Sequence, residues 1–310
     1  MARINNSLEF ICENVFSDAD ALIEKAEIRY KNIIETICEK IITENGNEIV
    51  MLAGPSSSGK TTTAGKIKTQ LEKEGHKAYI VSLDDFYLNP GEGPFNEDGT
   101  PDYESVYALD IPLIEKCLKE LIENGESKLP HYDFMKKKRF VDKNLIKLQK
   151  GDVIIVEGLH ALNPVITDNL PQEHLFKIYV SVSSRIYDKN RHIVFNKRNL
   201  RFIRRLVRDY RFRDSSPENT FELWKSVQAG EDKYLFPYRH LADARINSIH
   251  IYEPCVFKRP AIELLESLPK DSIYKKDANR LIRNLEKFPE LPTDKVPSDS
   301  LLREFVGPEI

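Results

Sequence analysis

An apolar run, residues 48–54 (EIVMLAG), leads directly into Gly54-Pro55-Ser56-Ser57-Ser58-Gly59-Lys60-Thr61. The octapeptide satisfies G-x-x-x-x-G-K-[ST] in full, between a strand-like and a helix-like segment. Glycines let the backbone turn tightly, so that successive N–H groups converge on one point. A helix starting there adds its positive N-terminal end. Such a turn is suited to a phosphate chain. Lys60 offers a point charge to the outer phosphates, and the Thr61 hydroxyl offers a ligand to Mg²⁺. Gly54, Ser56, Ser57, Ser58, Gly59, Lys60, Thr61 and Thr62 are therefore the expected nucleotide-binding residues. At ordinary glycine usage a chance match is on the order of 1%.

The rest of the pattern extends this unit. Residues 60–74 read as a helix, with Ala64, Ile67 and Leu71 on one face and Gly75 just beyond. Residues 77–83, 152–158 and 176–182 read as further strands, and 110–124 and 197–213 as helices. This alternation predicts an α/β fold: a P-loop NTPase-type parallel sheet with helices on both faces. Apolar residues at three- and four-residue steps predict another helix over 18–44. Residues 89–103 are rich in Pro, Gly, Asn and Asp and read as a long loop. The expected organisation is an N-terminal helical extension (1–45), a P-loop domain (46–254) with a lid around 185–215, and a helical, proline-punctuated C-terminal extension (255–310).

Composition narrows the function classes. With 41% hydrophobic residues among 310, a sizeable core is available and wholesale disorder is excluded. Lys+Arg (46) nearly balances Asp+Glu (49), which argues against a polybasic partner. No apolar run approaches the ~18 residues that span a bilayer. The first twenty residues lack the long uncharged stretch of a secretory signal. Cys12, Cys38, Cys117 and Cys255 form no CxxC, and the seven histidines form no HxxxH pair. The reading is a cytoplasmic protein with neither a disulfide framework nor a structural transition-metal site.

Two strand ends carry carboxylates. Residues 82–87 read Ser-Leu-Asp-Asp-Phe-Tyr, and 154–158 read Ile-Ile-Val-Glu-Gly. In a parallel sheet the C-terminal strand ends open into the ligand crevice. A carboxylate at Asp84 is placed there to take a hydroxyl proton or to hold Mg²⁺. Glu157 is a second metal-side carboxylate. Helix capping is the alternative for each.

The set GPSSSGKT, SLDDFY, YDF followed by Arg139, IIVEGLHAL and RRLVRD resembles the uridine kinase/phosphoribulokinase family over roughly residues 46–252. LVRDYRFRDSSPENT, FPYRHLADARINS and VPSDSLLREFVG are similar, more specifically, to the long bacterial uridine-kinase-like proteins. Many of those carry an extra N-terminal region related to threonyl-tRNA synthetase. Only about 45 residues precede the P-loop here, so that region is not expected. The resemblance implies ATP and Mg²⁺ as cofactors, with Asp84 as the base that deprotonates a nucleoside 5′-hydroxyl. It places Thr61, Asp84 and Glu157 on the Mg²⁺ side. It implies Asp102 as a ribose-hydroxyl ligand, Tyr87 and Tyr132 near sugar and base, and Arg139 facing acceptor or phosphates. Two positions depart from the family. Lys137 stands where uridine–cytidine kinases usually carry a base-reading His, and Asp214-Ser215 where many members have Gly-Arg.

Residues 185–213 hold eleven Lys+Arg against Asp188 and Asp209. Phe202, Ile203, Leu206, Val207 and Tyr210 fall on one helical face, and Arg201, Arg204/Arg205 and Arg208 on or beside another. This reads as a lid helix closing over the phosphates, with catalytic Lys60, Arg204 and Arg208, and with Arg213 on the nucleotide. Arg205 could instead pair with Asp209 at i,i+4. No stacking platform of exposed aromatics is evident, so nucleic acid is not an expected partner. Nor is a membrane; self-association is left open. The expected function is ATP/Mg²⁺-dependent phosphorylation of a small acceptor, the 5′-hydroxyl of uridine or cytidine. A kinase for another nucleoside or a sugar phosphate, and an ATP-binding regulatory or RNA-associated module, are the alternatives.

Overall fold

The computed structural model describes residues 5–43 and 49–308. In chain order the elements are α1 (Leu8–Thr43), β1 (Ile49–Ala53), α2 (Lys60–Lys73), β2 (Ala78–Ser82), α3 (Ile111–Asn124), β3 (Glu126–Asp133), β4 (Lys138–Lys147), β5 (Val153–Gly158) and α4 (Pro164–Thr167). There follow β6 (Leu175–Ser181), β7 (Ile186–Tyr187), β8 (Ile193–Phe195), α5 (Lys197–Arg213), α6 (Pro217–Tyr234), β9 (Ala244–Asn247), α7 (Glu253–Glu266), α8 (Lys275–Leu285) and α9 (Arg303–Val306).

Five strands form one parallel sheet in the order β2-β5-β1-β6-β9. β1 lies at its centre and is buried along its whole length, as a continuous apolar run requires. Its side chains alternate between two cores. Val50 and Leu52 face a cluster shared with α1, α2, α5, α7 and α8. Ile49, Met51 and Ala53 face a second one shared with α3 and α4. The ends of β1, β2 and β5 therefore open on one edge, where the phosphate loop, residues 83–86 and Glu157 meet.

Helix α1 is broken at Asp18, which leaves helical geometry and caps the second half by accepting from the Ala21 N–H (3.0 Å). The apolar pattern starting at residue 18 is that second half; its last expected residue, Glu44, lies outside the described residues. The helix packs on the chain's own P-loop helix: the hydroxyls of Tyr30 and Thr63 are hydrogen-bonded at 2.7 Å. The flanking segments expected as extensions are part of the main body. Side chains from Ile11 to Val306 share the first core, and α7 begins at Glu253, ahead of the expected boundary.

Two ribbons escaped the strand pattern. β3 and β4 form an antiparallel hairpin with a register shift between Leu129 and His131, and β7 and β8 form a short one. Among the described residues no helix is long and apolar enough to cross a membrane.

Because α1 shares the sheet's core, Ile34→Ala should lower the stability of the whole chain by about 2–5 kcal/mol. Chemical denaturation followed by near-UV and far-UV probes checks this. A main transition left unchanged would show that α1 is an independent appendage.

Candidate active site

The phosphate loop, residues 54–61, turns in the left-handed region at Ser57 (φ 57°) and Gly59 (φ 87°). Glycine is required at Gly59 twice over, by that φ and because a Cβ would lie 2.5 Å from Leu301 Cδ1. At Gly54 a Cβ would collide with the Val180 carbonyl oxygen. Ser57 and Ser58 bury hydroxyls that have no partner among the described residues, which fits a loop built around an anion.

Helix α5 holds this loop from behind. Asn196 caps it in a reciprocal capping box with Asn199, so its first turn is fixed. Arg201 donates from Nη1 to the Ser56 carbonyl at 2.9 Å and grips Glu231 through two bonds of 2.6 and 2.8 Å. The Ser56 N–H in turn donates to Glu231 Oε1 at 2.8 Å. Arg204 donates from Nε to Glu253 Oε2 at 2.6 Å and from Nη2 to the Ser248 carbonyl at 2.9 Å. Its Nη1 reaches the Ser57 carbonyl at 3.4 Å. Carbonyls are thus held on the protein side of the loop.

The front of the loop borders a cleft of about 180 Å³. Lys60, Arg205, Arg208 and Arg213 line it as cations, and Asp84, Glu104, Glu157 and Glu304 as carboxylates. The Thr61 hydroxyl donates to Glu157 Oε1 at 3.4 Å, and the Ser82 hydroxyl donates to the same oxygen at 3.1 Å. Burial raises the pKa of Glu157, Lys60 opposes this, and Asp84 adds to it. Burial likewise raises that of Asp84, against Lys60 and Arg213. Asp84 stays open to the cleft, so water screens part of that effect. Carboxylates crowded in this way, beside a hydroxyl and with no nitrogen or sulfur donor, fit Mg²⁺, which takes oxygen ligands and completes its shell with phosphates. Among the described residues no cluster of three His, Cys, Asp or Glu side chains could hold a metal alone.

Residues 83–86 form a single tight turn at the end of β2, capped by Ser82. It sets Asp84 on the cleft and turns Asp85 away. Asp85 accepts from His131 Nδ1 at 2.9 Å and from the Tyr132 N–H at 3.1 Å, tying the β3–β4 hairpin to the sheet. Tyr87, Tyr132 and Phe134 pack edge to face beside it. Tyr87 donates to the Tyr103 carbonyl at 3.1 Å, and Tyr234 approaches Asp102 Oδ2 at 3.5 Å. The pocket between Tyr87 and Asp102 holds only about 20 Å³.

Several expectations are corrected. Arg204 is fully buried and bound to Glu253, so it braces the loop and does not face the phosphates. Arg139 pairs with Asp110 at 2.8 Å, pinning the hairpin to the start of α3, and does not face the cleft. Lys137 sits exposed at the hairpin tip with φ 49° and is absent from the cleft lining. Tyr210, assigned to the apolar face, is 55% exposed, and Phe212 beside it 53% exposed. Arg205 does pair with Asp209, at 3.0 Å, while also donating to the Ser56 hydroxyl at 2.9 Å. Arg208 contacts Asp209 at 2.7 Å and Arg213 lies 3.6 Å from it, so one buried carboxylate gathers the three cleft arginines.

Glu231, Glu104 and Glu304 were not singled out in the sequence, and Asp209 was named there only as a partner for Arg205. Asp209 carried a signal in its i,i+4 spacing from Arg205. Glu304, whose carboxylate accepts from the Thr62 hydroxyl at 2.6 Å, had only its position as a lone acid in an otherwise apolar EFV segment.

Comparison with known proteins bears on this geometry. The profile of the Phosphoribulokinase / Uridine kinase family matches residues 49–252. The chain belongs to that family. Uridine kinase of Staphylococcus carnosus (strain TM300) is 30% identical over 201 residues, covering 64% of this chain and 86% of that one. Uridine kinase of Staphylococcus aureus (strain JH9) is 31% identical over 197 residues, covering 63% and 84%. A solved structure of a protein assigned as a fructose transport system kinase, from Silicibacter sp. TM1040, superposes with a TM-score of 0.51 at 17% identity. It covers 68% of this chain and 98% of its own length and shares the α/β P-loop fold. As a family member, the protein is an ATP-dependent kinase.

The division between bracing and cleft arginines is testable. Arg204→Met leaves Glu253 buried without its partner and should cost about 3–5 kcal/mol of stability. Arg213→Met, at an exposed ion pair, should cost less than about 1 kcal/mol yet weaken ATP binding. Urea denaturation alongside ATP titration checks both. Equal stability in the two variants would contradict the division.

Proposed function

We propose that the protein transfers the γ-phosphoryl group of ATP to the 5′-hydroxyl of a pyrimidine nucleoside, uridine or cytidine. The observation that carries this is the position of Asp84. It lies at a strand end, open to the same cleft as Lys60 and Thr61. The uridine kinase names of the relatives supply the acceptor class.

In this reading the loop N–H groups and Lys60 orient the triphosphate. Thr61, Glu157 and Asp84 would hold Mg²⁺, which supplies charge neutralisation between phosphate oxygens when bound. Asp84 accepts the proton of the attacking hydroxyl. Arg208 and Arg213 face the charge that develops on the transferring group, with Arg205 beside them. Tyr87, Tyr132 and Asp102 border the acceptor. A cavity of about 20 Å³ holds little more than one water, so the 89–103 loop shifts to admit a nucleoside. Catalysis then consists of positioning and preorganised charge.

Another small hydroxylated acceptor, a different nucleoside or a sugar phosphate, is favoured by one observation. Lys137, at the position where uridine–cytidine kinases usually carry a base-reading His, stands exposed at the hairpin tip. ADP release with ATP and Mg²⁺ across nucleosides and sugar phosphates, each against a no-acceptor control, separates the readings. Stimulation by uridine or cytidine alone is expected. Asp84→Asn should keep ATP binding and lose transfer by at least ~10²-fold; full activity in that variant would sink the assignment.

A pH profile adds a second check. Asp84 must be ionised to act as base, and burial raises its pKa while Arg213 lowers it. Protonation therefore removes activity on the acid side, starting above the ordinary aspartate range. Arg213→Met removes a stabilising cation, so the acid limb of kcat/KM should move to higher pH. A limb that stays in place or moves lower would disconnect Asp84 from the titration.

A further inference from the structure

The C-terminal segment lies outside the stretch matched to the family, residues 49–252, yet it enters the cleft. Leu301 is buried against Gly59. The Ser300 hydroxyl donates to Glu27 at 2.6 Å, and Arg211 donates to the Val306 carbonyl. The backbone from 300 to 307 is therefore fixed on both sides. Within it Glu304 reaches back to the P-loop helix. Its Oε2 accepts from Thr62 at 2.6 Å, and its Oε1 lies 3.9 Å from Arg208 Nη1.

Thr62 lies in the first turn of α2, where the loop's N–H groups and the helix end favour an anion. A carboxylate on that hydroxyl, beside a guanidinium, presents the charge and acceptor oxygens that a phosphate would present. The cleft already sets four carboxylates against four cations. An incoming polyphosphate meets Glu304 as a like charge on shared partners.

We propose that Glu304 is a built-in competitor for the donor's phosphates, so that nucleotide enters the P-loop by displacing its carboxylate from Thr62 and Arg208. The side chain swings while the segment stays anchored by Leu301 and Ser300. Glu304 thereby sets how tightly the donor binds, and a chain lacking it holds nucleotide more firmly. The inference rests on the P-loop holding the donor's phosphates and not on the identity of the acceptor, so a failed acceptor assay leaves its test intact.

The test is calorimetric titration of the full chain with inorganic tripolyphosphate and, separately, with adenosine. Glu304→Gln should tighten tripolyphosphate about tenfold, the effect of removing one like charge a few ångströms away in a wet cleft. Adenosine, which carries no phosphate, should bind unchanged. Glu304→Asp keeps the charge but withdraws it by one methylene, and should tighten tripolyphosphate by less than Glu304→Gln. It also keeps the question open to experiment should the glutamine variant fold poorly. Tripolyphosphate affinity that is unchanged or weaker in both variants overturns the proposal. So does weakened adenosine binding, which would make Glu304 a ribose contact.

Discussion

The arrangement depends on keeping the carbonyls of Ser56 and Ser57 turned away from the cleft. A loop that presents N–H groups to phosphate must dispose of its carbonyl oxygens elsewhere. Arg201 and Arg204 take them on the protein side. Both guanidiniums are buried, so each needs a buried carboxylate, and Glu231 and Glu253 supply them. Pairs of this kind gain little over an apolar core, but losing one partner is costly. Their value here is geometric: they fix α5 against the loop. Once α5 is fixed, its pitch carries Arg205 and Arg208 round to the front, and Arg213 follows at its end.

Much of this frame was legible in the residues. The strand before Gly54, the helix after it and the helix over 197–213 follow from apolar periodicity and glycine placement. The strand ends bearing Asp84 and Glu157 follow from parallel-sheet topology. What periodicity does not reveal is the neighbour on each face. Arg201 and Arg204 share a stripe with Arg205 and Arg208, and nothing within residues 197–213 distinguishes buried from open members. The distinction comes from Glu231 and Glu253, carboxylates distant in sequence. Tyr210 misled for a similar reason: it continues the apolar stripe past the point where the core ends. The β3–β4 hairpin was obscured by the consecutive charges Lys136, Lys137, Lys138 and Arg139, which break the apolar alternation expected of a strand. The flanks were expected as extensions because their contacts, such as Tyr30 with Thr63 and Leu301 with Gly59, join positions remote in the chain.

Electrostatics in the cleft tie these parts to chemistry. Asp84 and Glu157 are both pushed toward the neutral form by burial, and Lys60 restrains both. Asp209, buried behind the cleft, holds Arg205, Arg208 and Arg213 together although they repel one another. The site thus sets four cations and four carboxylates close together around one cleft, a preorganised electrostatic setting.

Phosphoryl transfer to a nucleoside 5′-hydroxyl is read out by identifying the product. Following ATP, Mg²⁺ and uridine by ³¹P NMR in the presence of the protein reads both sides of the reaction. Loss of the γ-phosphate signal should be matched by a phosphomonoester coupled to the two 5′ protons of uridine. Uridine recovered unmodified, with ATP bound but intact or converted only to inorganic phosphate, would contradict it.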